Sequence, residues 1–244
     1  MESNNPNYTY QNVIQIDDQD SSRKFLARVF AWMFVALGIS SACAYAFASI
    51  PALREILFDP ATGQPTALAF VAIFAPLAFV LLIRFGLNRI SYFGLSLLFI
   101  AYAAITGISL SFILLVYAAS SVTGVFLTSS ILFGVMAVAG YTTHSDLTKF
   151  GSLLIMFLVG IIIASLVNTF LLHSTGLDML ISFIGVAVFL GLTAYDVQKL
   201  KRIGAGIEYG DASAKKYALM GGLTLYLDFI NLFLMLLRLF GRRR

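Results

Sequence analysis

Four stretches of this chain carry no Asp, Glu, Lys or Arg: residues 29–53, 60–83, 90–145 and 150–177. A helix lying on a water-soluble core shows a polar stripe every turn or so, and these runs show none. The 90–145 run has 56 residues, enough for two spans of roughly 20 residues each. Divided at their turn chemistry, the apolar runs predict seven helices, over about 26–48, 66–85, 91–116, 121–142, 150–172, 178–200 and 216–239. Asp59-Pro60-Ala61-Thr62-Gly63-Gln64-Pro65 separates the first helix from the second, and Ala118-Ala119-Ser120-Ser121 divides the third from the fourth. Pro76 is expected to kink the second helix.

Composition agrees with this pattern. Of the 244 residues, 59% are hydrophobic and 11% charged, where a soluble domain is nearer a quarter charged. The class is therefore an all-α integral membrane protein, a seven-transmembrane helix bundle. Residues 1–24 read as a polar, disordered cytoplasmic tail, 25–241 as the membrane domain and 242–244 as a basic C-terminal tail. The first 20 residues hold Glu2, Asp17, Asp18 and Asp20, which excludes a cleavable signal peptide. The net charge of +4 is not a nucleic-acid footprint, because the bases flank apolar runs and form no patch among surface aromatics. A single cysteine, Cys43, rules out an intrachain disulfide.

The bases also set an orientation. Arg23, Lys24, Arg28, Arg84, Arg89, Lys149, Lys199, Lys201, Arg202, Lys215 and Lys216 fall on the N-terminal side of seven spans, and the opposite loops hold only Arg54. The positive-inside rule then makes the N-terminus cytoplasmic. Arg238 and Arg242-Arg243-Arg244 break that rule: either the tail is tolerated on the far side or the seventh segment does not fully cross.

Small residues spaced by four, in Ala103-Gly107-Ser111, Ser130-Gly134 and Gly160-Ala164-Asn168, predict close helix packing. The acids ask for more than packing. Asp228 stands twelve residues into the 21-residue apolar run Tyr217–Leu237, roughly 17 Å from its start. A carboxylate there costs about 2.5–3.5 kcal/mol on insertion scales, so it is expected to face the bundle interior and to mark an ion or proton path. Asp196 lies near the cytoplasmic end of the sixth helix, which is antiparallel to the seventh, so the two acids can approach each other. Two carboxylates that close compete for one charge and can sense pH. Their oxygens suit a hard cation such as calcium rather than zinc. Thr224 and Asn231 share the Asp228 face, and Thr193 the Asp196 face, as pore-lining candidates. Arg84 and Arg89, at the end of the second helix, lie at the depth of Asp196 and could lock it. His144 and His173 fall at opposite ends and cannot share a metal. Asp146 and Lys149 are expected to cap and flank the fifth helix, and Asn168 to hydrogen-bond across helices.

Three segments in order, GYTTHSDLTKFGSLL from Gly140, LTAYDVQKLK from Leu192 and LTLYLDFINLFLMLLRLFG from Leu223, resemble bacterial members of the transmembrane Bax-inhibitor motif family. The similarity spans residues 25–241. It implies a seven-helix fold with the last helix central, in the bacterial inner (plasma) membrane. It implies a pH-sensitive calcium leak channel whose aspartate dyad is Asp196 and Asp228. The family's gating arginine falls on Arg89 if the loop before it has no gap, with Arg84 the alternative. Protons and calcium are the expected partners, calcium as transported ion at Asp196 and Asp228, with the lipid bilayer around the chain. No cofactor and no enzymatic activity are expected. Relative to the shortest relatives, Ile203–Ala214 reads as a polar insert.

Two rival classes are weighed against that expectation. A non-conducting regulator would bind other membrane proteins, such as a quality-control protease or a cell-death protein, and would have no need of two buried acids. An intramembrane aspartyl protease also places acids on adjacent helices. It would carry Gly-x-Gly-Asp where this chain has Leu225-Tyr226-Leu227-Asp228, and Pro-Ala-Leu after it, whereas Pro51-Ala52-Leu53 lies between the first two helices.

Overall fold

The computed structural model describes residues 18–86, 89–206 and 212–243. They form eight α-helices: α1 Asp18–Ser49, α2 Pro51–Leu57, α3 Ala67–Gly86, α4 Tyr92–Val116, α5 Ala119–Thr142, α6 Thr148–Val167, α7 Thr175–Ala205 and α8 Ala212–Phe240. A single π turn, Asn168–Leu172, extends α6 and ends on His173, whose left-handed φ of 49° stops the helix. Beyond helices, the described residues make only two isolated β-bridges.

α1, α4, α5, α7, α8 and α6 with its π turn are each long and apolar enough to cross a bilayer, and α3, of 20 residues, carries the apolar stretch Ala67–Ile83. The predicted helices all appear, with their ends moved. α1 begins two turns early, at Asp18, with Asp18 and Asp20 at its positive N-terminal end. Residues 1–17 of the predicted tail lie outside the described residues. α7 runs on to Ala205, into the predicted insert, of which 207–211 also lie outside them. The unpredicted element is α2, opened by Pro51 in its first turn, where a missing N–H is harmless. Ser91 caps α4 and Ser174 caps α7, each accepting from the amide three residues on. α3 continues through Pro76. The Asp59–Pro65 turn is closed by the Asp59 carboxylate accepting from the Ala61 amide and by Gly63 at φ 68°.

α8 packs against α1, α4, α5 and α7, and α7 against α1, α5, α6 and α8. α3 packs on α4 and α2, and α6 on α7. Burial follows this layering: 56% of the most apolar window of α8 is buried, against 11% for α6. The core is a layer of α8 side chains, Leu219, Leu223, Leu225, Tyr226 and Leu232 among them, meeting Val29 and Met33 of α1 and Phe99 of α4.

Two glycines set the closest approaches. A Cβ at Gly107 would strike the Ser40 carbonyl of α1, and one at Gly140 the Ala194 carbonyl of α7. Gly107 therefore confirms the Ala103-Gly107-Ser111 stripe. Of the other two, Ser130-Gly134 and the Gly160 end of Gly160-Ala164-Asn168 are corrected, whereas Ala164 packs on the core and Asn168 is buried. Gly134 and Gly160 have nothing within 4 Å of the Cβ position, and α5 instead buries Ser129, Phe133, Ala137 and Gly140. Spacing by four marks a helix face but not which face is covered. Asn168 does hydrogen-bond out of its helix, exchanging bonds of 3.1 and 2.9 Å with the Ser174 backbone across the α6–α7 turn.

Polar contacts sort the two ends of the bundle. At one end the Ser22 hydroxyl of α1 donates to the Lys201 carbonyl of α7 (2.9 Å). At the other, Arg238 of α8 pairs with Asp178 of α7 (3.5 Å), and Arg242 bonds Ala118 and Ser121 at the α4–α5 turn. α8 thus runs the length of the bundle, leaving Arg238, Arg242 and Arg243 at the end opposite the α1 start.

Candidate functional site

α7 and α8 lie side by side and antiparallel, and each presents one polar stripe. On α7 Ser182 and Thr193 have no exposed surface, and each hydroxyl bonds the carbonyl four residues back at 2.8 Å. Such bonds satisfy a buried hydroxyl without a partner helix. Gly185 leaves space filled by the Met235 side chain of α8, whose sulfur would stand 2.9 Å from a Cβ there. On α8 Thr224, Leu227, Asp228, Asn231 and Met235 share a face. The opposite face turns Tyr226 towards α1 and α4, and Phe229 and Phe233 towards Phe126 of α5.

Asp196 and Asp228 line one cavity of about 820 Å³, bounded by α3, α6, α7 and α8. Asp228 is 6% exposed and Asp196 half-buried, so the acid from the middle of its helix lies deeper. Thr224 and Asn231 line the same cavity. The Thr224 hydroxyl donates to the Met220 carbonyl (3.1 Å), and the Asn231 amide to that of Leu227 (2.8 Å). Thr193, expected in the lining, lies instead in the buried seam of α7 and does not reach the cavity. One helical turn from Asp196 the structure adds a residue that pattern reading passed over. Lys199 lines the cavity too, is exposed, and holds its ammonium 5.9 Å from the centre of the Tyr195 ring. Its spacing of three from Asp196 was the available signal. Tyr195 in turn packs on Gly151 of α6, 2.5 Å from where a Cβ would stand.

Arg89 is exposed in the turn between α3 and α4, its amide bonded to the Gly86 carbonyl, and is not among the cavity-lining residues. The Arg84 backbone belongs to α3, and its side chain lies outside the described residues. Neither is placed beside the acids by a described contact.

Below the acids, the end of α7 is pinned to the α5–α6 turn. Gln198 accepts from the Leu147 amide (2.9 Å) and donates to the Ser145 carbonyl (2.8 Å). Lys201 donates to the Tyr141 carbonyl (2.8 Å) with its ammonium 4.7 Å from that ring's centre. Arg202 reaches Asp146 and the Thr148 hydroxyl at 2.8 and 2.9 Å. The Thr148 hydroxyl and amide, then the Arg202 guanidinium, hold the Asp146 carboxyl well below the usual carboxylate range. Asp146 therefore flanks α6 as expected and accepts from the Thr148 amide, but the cap position itself is Leu147, which makes no side-chain cap bond; Asp146 also ties α6 to α7. Among the described residues no group of three or more His, Cys, Asp or Glu side chains could hold a metal ion.

These features define a multi-pass helical membrane protein with two acids on adjacent helices facing a common cavity. The chain belongs to the family described as inhibitor of apoptosis-promoting Bax1, whose model matches residues 22–244. It is 45% identical over 221 residues to the inner membrane protein YbhL of Escherichia coli K12, covering 90% of this chain and 92% of that one. It is also 44% identical over 222 residues to an uncharacterized protein of Borreliella burgdorferi, covering 91% and 93%.

Proposed function

We propose that this protein is a pH-sensitive cation leak pathway, with calcium as the transported ion and Asp196 and Asp228 as its gate. The observation that carries this reading is the sharing of one cavity by both acids, with Asp228 almost wholly withdrawn from solvent. A membrane helix retains so costly a group where it serves an ion or proton path. Calcium prefers six to eight oxygen ligands. Two carboxylates with the Asn231 and Thr224 oxygens supply part of that set, which suits passage better than retention. α3 completes seven crossings, α8 is the central helix, and the end bearing Ser22 and Lys201 faces the cytoplasm of a bacterial inner membrane. That end carries the eleven bases counted above, as the positive-inside rule requires.

Protonation acts on such a gate in two ways. It weakens cation binding, and it releases any arginine held by the acids. The substitutions are therefore read as altered pH dependence. The test is calcium entry into dye-loaded proteoliposomes across a pH series, with Asp196→Asn and Asp228→Asn beside the parent. Each Asn removes a titrating group and is expected to change the pH profile. Flux indifferent to both, or no flux at any pH, sinks the reading.

A further inference from the structure

We propose that the groove between α5 and α8, at the end of the bundle away from the α1 start, holds one anionic phospholipid. Its phosphodiester head sits on Arg242 and Arg243, and an acyl chain lies along α5. The position of these bases is the first observation. The other bases of the chain, Arg54 and Arg238 excepted, gather at the end where α1 starts. Arg238 is answered by Asp178 of α7. Arg242 and Arg243 are exposed, and no carboxylate among the described residues pairs with either. Their backbone is nevertheless fixed. Gly241 turns the chain off α8, where a Cβ would strike the Leu237 carbonyl and stand 2.5 Å from the Tyr117 ring. The Arg242 carbonyl then accepts from the Ala118 amide (2.9 Å), and its amide donates to the Ser121 hydroxyl oxygen (2.9 Å). Arg243 forms a bridge with Tyr117. Two arginines are thus held at the α4–α5 turn.

The groove begins at that turn. Ser121, Gly124, Val125 and Thr128 of α5 form one wall and Leu236 and Phe240 of α8 the other, around about 440 Å³. Val125 and Leu236 are buried and floor it. Phe240 is 70% exposed, and Gly124 has nothing within 4 Å of its Cβ position, so the groove opens sideways. From Ser121 to Thr128 it runs roughly 10 Å along α5. One leaflet contributes about half of the ~30 Å hydrocarbon core, so the groove suits the upper part of one acyl chain. Cations and a hydroxyl at its head, with an apolar body below, repeat the order of groups in a phospholipid. A guanidinium fork pairs with two phosphate oxygens through charge-assisted bonds. The Ser121 hydroxyl, which accepts from Arg242, keeps its hydrogen to donate to a third. A zwitterionic head brings a cation of its own, which the arginines repel. The groove shares no lining residue with the cavity of Asp196 and Asp228, so the proposal stands apart from the leak.

The chain has one tryptophan, Trp32, which makes a fluorescence test possible. Trp32→Phe with Phe240→Trp places a reporter in the groove. Trp32→Phe with Leu171→Trp places a control on the exposed π turn at the same end. Each full chain is reconstituted in vesicles mixing phosphatidylcholine and phosphatidylglycerol, with bromine on the acyl chains of one lipid or the other. Quenching then gives the relative occupancy of the two lipids beside the reporter. In the groove phosphatidylglycerol is expected to be preferred about fivefold, and at the control the two lipids should quench about equally. Adding Arg242→Gln and Arg243→Gln should bring the groove reporter to the level of the control. Gly124→Leu fills the groove, leaves both arginines in place and should do the same, so it carries the test if the arginine variant does not reconstitute. No preference in the groove, an equal preference at the control, or a preference that survives either substitution overturns the proposal.

Discussion

Ser40 of α1 and Tyr226 of α8 share a hydrogen bond of 2.7 Å two residues from Asp228, and Ser40 also donates to the Ala103 carbonyl of α4 at 2.7 Å. A serine hydroxyl has one hydrogen, so with Ala103 as its acceptor the Tyr226 hydroxyl must be the donor to Ser40. The two substitutions are therefore unequal. Tyr226→Phe leaves Ser40 still bonded to Ala103 and is expected to cost about 1 kcal/mol. Ser40→Ala removes the acceptor of a tyrosine with no exposed surface, and is expected to cost more, about 1–3 kcal/mol. Thermal unfolding in detergent checks the order, and an equal or reversed pair contradicts the donor assignment.

Gly140 sits where α5 meets the α7 backbone at Ala194, two residues before Asp196. A methyl group there meets a carbonyl, which cannot swing aside as a side-chain tip can. Gly140→Ala is expected to destabilise by about 1–3 kcal/mol through overpacking. Gly134→Ala, with open space at its Cβ position, should be neutral or gain slightly from helix propensity. Melting temperatures of the two variants, measured side by side, decide this.

Much of this architecture was legible because charge marks the membrane. Apolar runs located seven helices, and Asp228 announced itself as the one acid in the middle of such a run. Helix ends were less legible. Asp18–Lys24 and Lys201–Ala205 are polar yet helical, held by contacts such as Ser22 with Lys201 that no local pattern contains. The small-residue stripes misled where no described atom comes within 4 Å of the Cβ position, as at Gly134 and Gly160. For the cavity, Thr224 and Asn231 followed from spacing on one helix. The α6 wall did not: Ser165 and Thr169, spaced by four, both line it, but one small polar pair in a mostly apolar helix does not say that this face shares a cavity with α8.

The Asp146–Arg202 pair at the base of α7 gives a pH dependence with a definite sign. The Asp146 carboxyl is held below its ordinary range by Thr148 and Arg202, so the folded state binds its proton less readily than the unfolded chain. Its contribution is present above the ordinary aspartate range and is lost as pH falls through the lowered value. Asp146→Asn should therefore lower the melting temperature slightly at neutral pH, the pair being half-exposed, and the gap from the parent should close in strong acid. A gap that widens on acidification contradicts the sign.

Lys199 supplies the last prediction, which rests on the leak reading. Its ammonium lines the cavity of Asp196 and Asp228 one turn from the nearer acid, so a cation entering from that end meets a like charge first. At an effective dielectric near 20, unit charges about 4 Å apart interact by about 4 kcal/mol, and solvent at this exposed position reduces that several-fold. Lys199→Gln is expected to raise initial calcium entry into proteoliposomes by about three- to tenfold, with a smaller gain at high salt. Lys199→Arg keeps the charge and should behave as the parent. If Gln and Arg have equal effects, Lys199 acts through its packing on Tyr195, and the electrostatic role is lost.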